Sequence, residues 1–192
     1  MVTMQSKWDR IYSEKKAEPT ACYVLTQNQH LLPTQGRALD LACGQGANAR
    51  LLAQAGLDVE AWDASAVAIE QLSDVAAEAS LTIDAQVRDV IKSPPKENSL
   101  DVLVVSFFLD RGLCPRLIAA LKPGGLLFYQ TYCQQKVTDQ GPNNPDFLLA
   151  DNELLKLFSP MKPRVYREES LLGDVEQGWR NQALLVAEKR FI

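Results

Sequence analysis

Arg37-Ala-Leu-Asp40-Leu-Ala42-Cys43-Gly44-Gln-Gly46-Ala-Asn48-Ala-Arg50 reads as a strand, a tight turn and a helix. A short apolar run carries an acid, passes two glycines set one residue apart and enters a segment of helical periodicity. Glycine lacks a Cβ, so such a turn tolerates positive φ and lets a ligand approach bare backbone, while the first helical amides point at whatever is bound. A nucleotide-like ligand is the expected tenant. The residues around the turn must decide which nucleotide.

Working outward toward the carboxyl terminus, the strand-helix alternation repeats. The first strand is expected over Ala38 to Ala42 and a helix over Ala47 to Ala55, with Gly56 at a left-handed helix stop. A strand from Leu57 to Trp62 runs into Asp63. Ser65 then stands where it can cap a helix whose apolar stripe is Ile69, Leu72, Val75, Ala76 and Ala79. The third strand puts Leu81, Ile83, Ala85 and Val87 on one face and ends at Arg88-Asp89, and Lys92 to Asn98, with its Pro94-Pro95, is a loop. Leu100 to Val105 is nearly all apolar, as suits a strand buried on both faces, and ends at Ser106-Phe107-Phe108. Pro115 opens a helix to about Leu121, and Lys122-Pro123-Gly124-Gly125 turns into a strand from Leu126 to Tyr132. Residues 133–150 lack periodicity. A loop of that length in a compact domain is functional or disordered, and it is expected on the substrate side. Asp151 is placed to cap a short helix through Phe158, before two directly joined strands near Arg164 to Glu168 and Gln182 to Lys189. The sum is an α/β fold of three layers: a doubly wound, mostly parallel seven-stranded sheet with an antiparallel last hairpin, in one domain over residues 1–192.

Toward the amino terminus, residues 1–36 are expected to be helical around Trp8, Ile11 and Tyr12, whose spacing shares one face. That face either packs on the domain or forms a lid with an aromatic wall over the ligand. His30 reads as a surface or packing residue. With 192 residues, 46% hydrophobic, and a formal net charge of −4 spread along the chain, a substantial core is expected and a general nucleic-acid surface is not. No apolar run reaches the length of a membrane span, and Met1 to Trp8 lacks the apolar core of a secretion signal. A cytoplasmic protein, monomeric or homodimeric, is expected. Cys22, Cys43, Cys114 and Cys133 are scattered and read as reduced thiols, with no disulfide frame and no metal site.

Ligands of such sheets bind outside the carboxyl ends of the strands, where strand order reverses. Asp40 to Gly46, Asp63, Asp89 and Ser106 to Phe108 fall there. A carboxylate after the second strand suits the paired hydroxyls of a ribose, and the next one suits an exocyclic amine such as that of adenine. Singly, each aspartate also reads as a turn or cap residue. Gly44-x-Gly46-x-x-Ala49 satisfies the relaxed dinucleotide fingerprint, with Asp63 at about the right distance, so an NAD(P)-dependent oxidoreductase stays open. Against it, Asp40 would sit near a pyrophosphate of like charge. Tyr132-x-x-x-Lys136 has the spacing of a hydride-chemistry pair, but that spacing arises cheaply.

The run Ala38 to Gly46, with Asp63 and Asp89 ending the next two strands, resembles the class I S-adenosylmethionine-dependent methyltransferases. Lys7-Trp8-Asp9-Arg10-Ile11-Tyr12 and Leu121-Lys-Pro123-Gly124-Gly125 are similar to the small-molecule branch, and to tellurite-resistance-methyltransferase-like members in particular. The likeness covers residues 7 to about 132. It implies S-adenosyl-L-methionine as cofactor. Asp40, Ala42, Cys43, Gly44, Gly46 and Asn48 would hold its methionine part, with Asp40 ordering the loop or meeting the amine through water. Asp63 would take the ribose, Ala64 and Val90 the adenine, Asp89 its amino group, and Ser106 would lie beside the methyl. Cys43 departs from the glycine of many members, and the absence of an Asn-Pro-Pro-Tyr motif after strand four speaks against base or glutamine methylation. The acceptor is expected to be a small molecule, with Trp8, Tyr12, Arg111 and Tyr132 as candidate contacts and no catalytic base assigned. Arg111 would suit an anionic acceptor. A non-catalytic S-adenosylmethionine-binding protein is the remaining alternative.

Overall fold

A computed structural model of the chain describes residues 4–14 and 18–191; the parts of the expected lid at 1–3 and 15–17 lie outside the described residues. Strand β1 (Arg37–Leu41) sends successive side chains to opposite faces, as a pleated strand must. Ala38 enters one core with Val24 and Leu25 of helix α2 (Tyr23–Gln27), Leu52 of α3 (Ala47–Gln54) and Leu72 of α4 (Ala66–Glu78). Leu39 and Leu41 enter the other with Leu117 of α5 (Cys114–Ala120) and Leu154 of α6 (Glu153–Leu157). Three layers follow directly from this alternation, as expected.

The remaining strands are β2 (Asp58–Asp63), β3 (Ile83–Val87), β4 (Leu100–Ser106), β5 (Leu121–Tyr132), β6 (Lys162–Arg167) and β7 (Gln182–Glu188). Their order is β3-β2-β1-β4-β5-β7-β6, with β7 antiparallel to both neighbours and every other pairing parallel. The sequence expectation of seven strands and a reversed final hairpin holds, and the sheet adds that β7 inserts between β5 and β6. Strand order reverses between β1 and β4. There Leu41 lies opposite both Trp62 and Val105, so the ends of β1, β2 and β4 emerge level at one edge.

Several local expectations are corrected. On the edge strand β3, Ile83 and Ala85 are half-buried against the core, whereas Val87, its last residue, is 51% exposed. On α4, Ile69, Leu72 and Ala76 are buried while Val75 and Ala79 face outward. The Pro123-Gly124-Gly125 turn does not precede β5 but bulges within it, shifting the register between Leu100–Leu121 and Val102–Leu126. Asp151 does not cap α6. Asn152 precedes the helix in a left-handed conformation, and Glu153 takes the Ala150 amide at 2.8 Å. Gly56 and Ser65 behave as read: φ is 91° at the former, and the latter accepts from the Ala68 amide at 3.2 Å. His30 is exposed.

Candidate functional site

A cavity of about 460 Å³ opens at the reversal point. Its floor is the turn between β1 and α3, one wall comes from Asp63, Ala64, Asp89 and Val90, and the other from Ser106, Phe107 and Phe108. Residues 18–20 and helix α1 (Met4–Glu14) cover it, with Trp8 and Tyr12 lining the roof and their rings stacked at 6.0 Å. Ala42 and Phe107 end the two central strands with φ of 55° and 57°. Non-glycine residues seldom adopt that conformation, so both strand ends on the cavity wall carry local backbone strain.

The turn spends its amides inward. Gly44 N donates to Asp63 Oδ2 at 2.8 Å, Gly46 N to the Cys43 carbonyl at 2.9 Å, and Ala49 N to Asp40 Oδ2 at 3.0 Å. Ser65 N completes the hold on Asp63 at 2.9 Å. Each Asp63 oxygen thereby accepts one amide and keeps a lone pair for a further donor. Burial raises the Asp63 carboxyl above its usual range, against the lowering effect of these amides.

Asp40 lies behind the wall, fully buried and outside the cavity lining. Burial pushes its carboxyl up to about 7, against the lowering pull of Asn48 and the Ala49 amide. Asn48 is the joint of this region. Its Nδ2 donates to Asp40 Oδ1 at 3.3 Å and to Ser106 Oγ at 3.0 Å, while its Oδ1 accepts the Cys22 amide at 2.8 Å. Gly46 also stands back: φ is 73°, and a Cβ there would lie 2.3 Å from Leu72 Cδ1, so this glycine serves helix packing. Gly44 does face the cavity, beneath the Tyr12 hydroxyl. Burial raises the thiols of Cys22, to about 12, and of Cys43, which keeps both protonated.

A family model described as tellurite resistance protein TehB matches residues 4–175, nearly the whole chain. The chain belongs to the TehB family. It is 28% identical over 165 residues to the probable S-adenosyl-L-methionine-dependent methyltransferase TehB of Haemophilus influenzae, a match covering 82% of this chain and 57% of that protein. Hemagglutinin 1 of Eikenella corrodens is 38% identical over 95 residues, covering 46% of this chain and 32% of that one. The crystal structure of TehB from Haemophilus influenzae superposes with a TM-score of 0.68 at 25% identity, over 87% of this chain and 61% of that one. The chain thus spans less than two thirds of the length of each of these relatives. The TehB family and its methyltransferase fold account for the Rossmann-like sheet reached from the residues.

Of the residues singled out in the sequence, the cavity wall holds Trp8, Tyr12, Ala42, Cys43, Gly44, Asn48, Asp63, Ala64, Asp89, Val90 and Ser106. Arg111 is drawn elsewhere: it bridges Glu153 at 2.6 Å and donates to the Asp146 and Leu148 carbonyls, which ties the 133–150 loop to α6. Tyr132 meets Phe107 in a tilted ring pair at 5.2 Å and lies outside the wall, and Lys136 donates to the Gln140 and Pro142 carbonyls. Neither member of that pair meets the cavity. Sequence reasoning gave no site role to the cover at residues 18–20 or to Arg88, whose guanidinium lies 3.7 Å over Trp62 while lining the cavity, and it quoted Asp9 only within the family motif. Arg88 carried a signal, since it ends the third strand beside Asp89, whereas residues 18–20 carried none. Among the described residues no helix is long and apolar enough to cross a membrane, and no three His, Cys, Asp or Glu residues form a group that could hold a metal ion.

Proposed function

We propose that the chain transfers a methyl group from S-adenosyl-L-methionine to a small-molecule acceptor by in-line displacement. One observation carries this reading: the glycine turn gives two of its amides to carboxylates, Gly44 N to Asp63 and Ala49 N to Asp40, instead of leaving them for an anion. A pyrophosphate needs those amides free and would meet the Asp63 carboxylate, whereas a cationic ligand gains from it. That weighs against the NAD(P) oxidoreductase alternative, as does the remote Tyr132–Lys136 pair.

In this reading the backbone from Ala42 to Gly44 seats the methionine part, and Asp40 acts from beneath by ordering the loop. Asp63 accepts from two ribose hydroxyls on its free lone pairs. Ala64 and Val90 flank the adenine, and Asp89, which already holds the Ile91 and Lys92 amides through Oδ1, faces the adenine amino group. The bound cofactor supplies an already activated methyl on a sulfonium. The chain orients the acceptor against Ser106 and Phe107 and excludes water beneath Trp8 and Tyr12. Among the described residues no imidazole lines the cavity, and of its three carboxylates Asp63 and Asp89 are given to the cofactor while Glu18 faces Arg50 at 4.0 Å, so a soft nucleophile such as a thiol or selenol, reactive by orientation, suits this site. The protein is taken as a cytoplasmic enzyme of one domain, monomeric or homodimeric, that acts on small molecules and not on nucleic acid.

Thermal melting with S-adenosylhomocysteine and with NADH tests the assignment. A hundred-fold excess over Kd stabilises by about 2.7 kcal/mol, which for a chain of this size is a rise of roughly 5–10 °C. S-adenosylhomocysteine is expected to produce it, and Asp63→Ala to abolish it. A rise with NADH alone refutes the reading.

A further inference from the structure

Helix α1 is tied to α4 by hydrogen bonds to which the cofactor reading gives no task. The Ser65 hydroxyl donates to Asp9 Oδ1 at 2.6 Å, and the Val67 amide donates to the same oxygen at 3.4 Å. Ser65 is fully buried and caps α4, so Asp9 completes a cap that Ser65 begins. Farther along α4, Gln71 Nε2 donates to the Tyr12 carbonyl at 3.4 Å, and Gln71 Oε1 accepts from Gln45 in the glycine turn at 3.0 Å. Two ties at separate points along α4 fix α1 in both rotation and translation. They set the Tyr12 phenol over Gly44, where an added Cβ would lie 2.6 Å from its oxygen. Hydrophobic burial is a weak hold here, since Trp8 is 38% and Ile11 36% exposed, and a helix of 11 residues is marginal by itself. The polar ties must hold it. Ser65 also joins latch and ligand site, because its amide donates to Asp63 while its hydroxyl donates to Asp9.

We propose that Asp9 is a positioning residue that latches α1 onto α4, holds Trp8 and Tyr12 over the cavity and sets how slowly the adenosyl ligand leaves. The identity of that ligand rests on the methyltransferase reading. The latch works through an acceptor oxygen, so an amide can replace the carboxylate and a methyl cannot. The decisive measurement is the dissociation rate of S-adenosylhomocysteine from wild type, Asp9→Asn and Asp9→Ala, followed by Trp fluorescence in stopped flow. Asp9→Ala should release the ligand about tenfold faster or more without slower association, since it removes the charged acceptor of both the Ser65 and the Val67 hydrogen bonds. Asp9→Asn should stay within about threefold of wild type. Gln71→Ala, which removes the second tie, should shift release in the same direction. Hydrogen exchange of the α1 amides without ligand reads the latch independently and should quicken in Asp9→Ala but not in Asp9→Asn. Wild-type dissociation from Asp9→Ala, or equal losses in Asp9→Asn and Asp9→Ala, overturns the proposal. A wild-type protein that binds no S-adenosylhomocysteine overturns the methyltransferase reading instead, and the exchange data then still report on the latch.

Discussion

Asn48 joins three segments of the site, and replacing it separates packing from electrostatics. It is buried, and its three polar contacts join the Cys22 amide, the Asp40 carboxylate and the Ser106 hydroxyl across three elements of the chain. In Asn48→Ala the Cys22 amide loses its acceptor and the buried Asp40 loses a donor. An unsatisfied buried donor costs about 1–3 kcal/mol and a lost bond to a charged group a similar amount, so the sum is roughly 3 kcal/mol. For a chain of this length that corresponds to a melting temperature lower by roughly 6–12 °C. Asn48→Asp preserves the acceptor for Cys22 but sets a second carboxylate against Asp40. Burial already raises Asp40 to about 7; exchanging its donor for an anion raises it further. A group whose folded pKa is raised contributes stability that is complete below its unfolded value, about 4, and lost as pH rises through the folded value. The deficit of Asn48→Asp relative to wild type should therefore be small near pH 4–5 and widen through neutral pH to pH 8. Calorimetric melting of the three proteins at pH 5 and pH 8 measures this. A gap between Asn48→Asp and wild type that is equal at both pH values, or an Asn48→Ala melting temperature within 2 °C of wild type, refutes the network as described.

Two further outcomes follow from the geometry. Gly46→Ala, at φ 73° and against Leu72 in the core, should cost about 2 kcal/mol or more, whereas Gly44→Ala, at φ 53°, carries backbone strain of the same kind but meets only the movable end of Tyr12 and should cost less while shifting tryptophan emission; a larger melting loss for Gly44→Ala would contradict this. Arg111→Ala should lower stability by about 1 kcal/mol, since its half-open ion pair with Glu153 is screened and its carbonyl bonds supply the rest, while S-adenosylhomocysteine affinity stays at the wild-type level by calorimetry; a lost affinity would return Arg111 to the site.

The chain from Arg37 to Asp63 was legible because its signals are local. Alternation gave β1, two glycines gave the turn, Gly56 and Ser65 punctuated the helices, and the acid ending the second strand marked the ligand edge. Val87, Asp151 and Pro123 misled. An edge position and a bulge depend on what lies beside the strand, which sequence order does not contain, while at Asp151 two adjacent residues, Asn152 and Glu153, compete for the same helix start. Arg111 looked free for an anionic acceptor until the fold brought Glu153 and two carbonyls to it from some forty residues away.

By itself the sequence determined the layered α/β sheet, the position of the glycine turn and the acids that surround it, because periodicity and backbone freedom act over a few residues. The tertiary structure alone decided that Asp40 and Gly46 stand behind the wall, that two of the turn's amides are committed to carboxylates, and that Asp9 reaches Ser65 across 56 positions. Those facts are the products of through-space pairing, in which a hydrogen bond is made by whichever donor and acceptor the folded chain brings within about 3 Å.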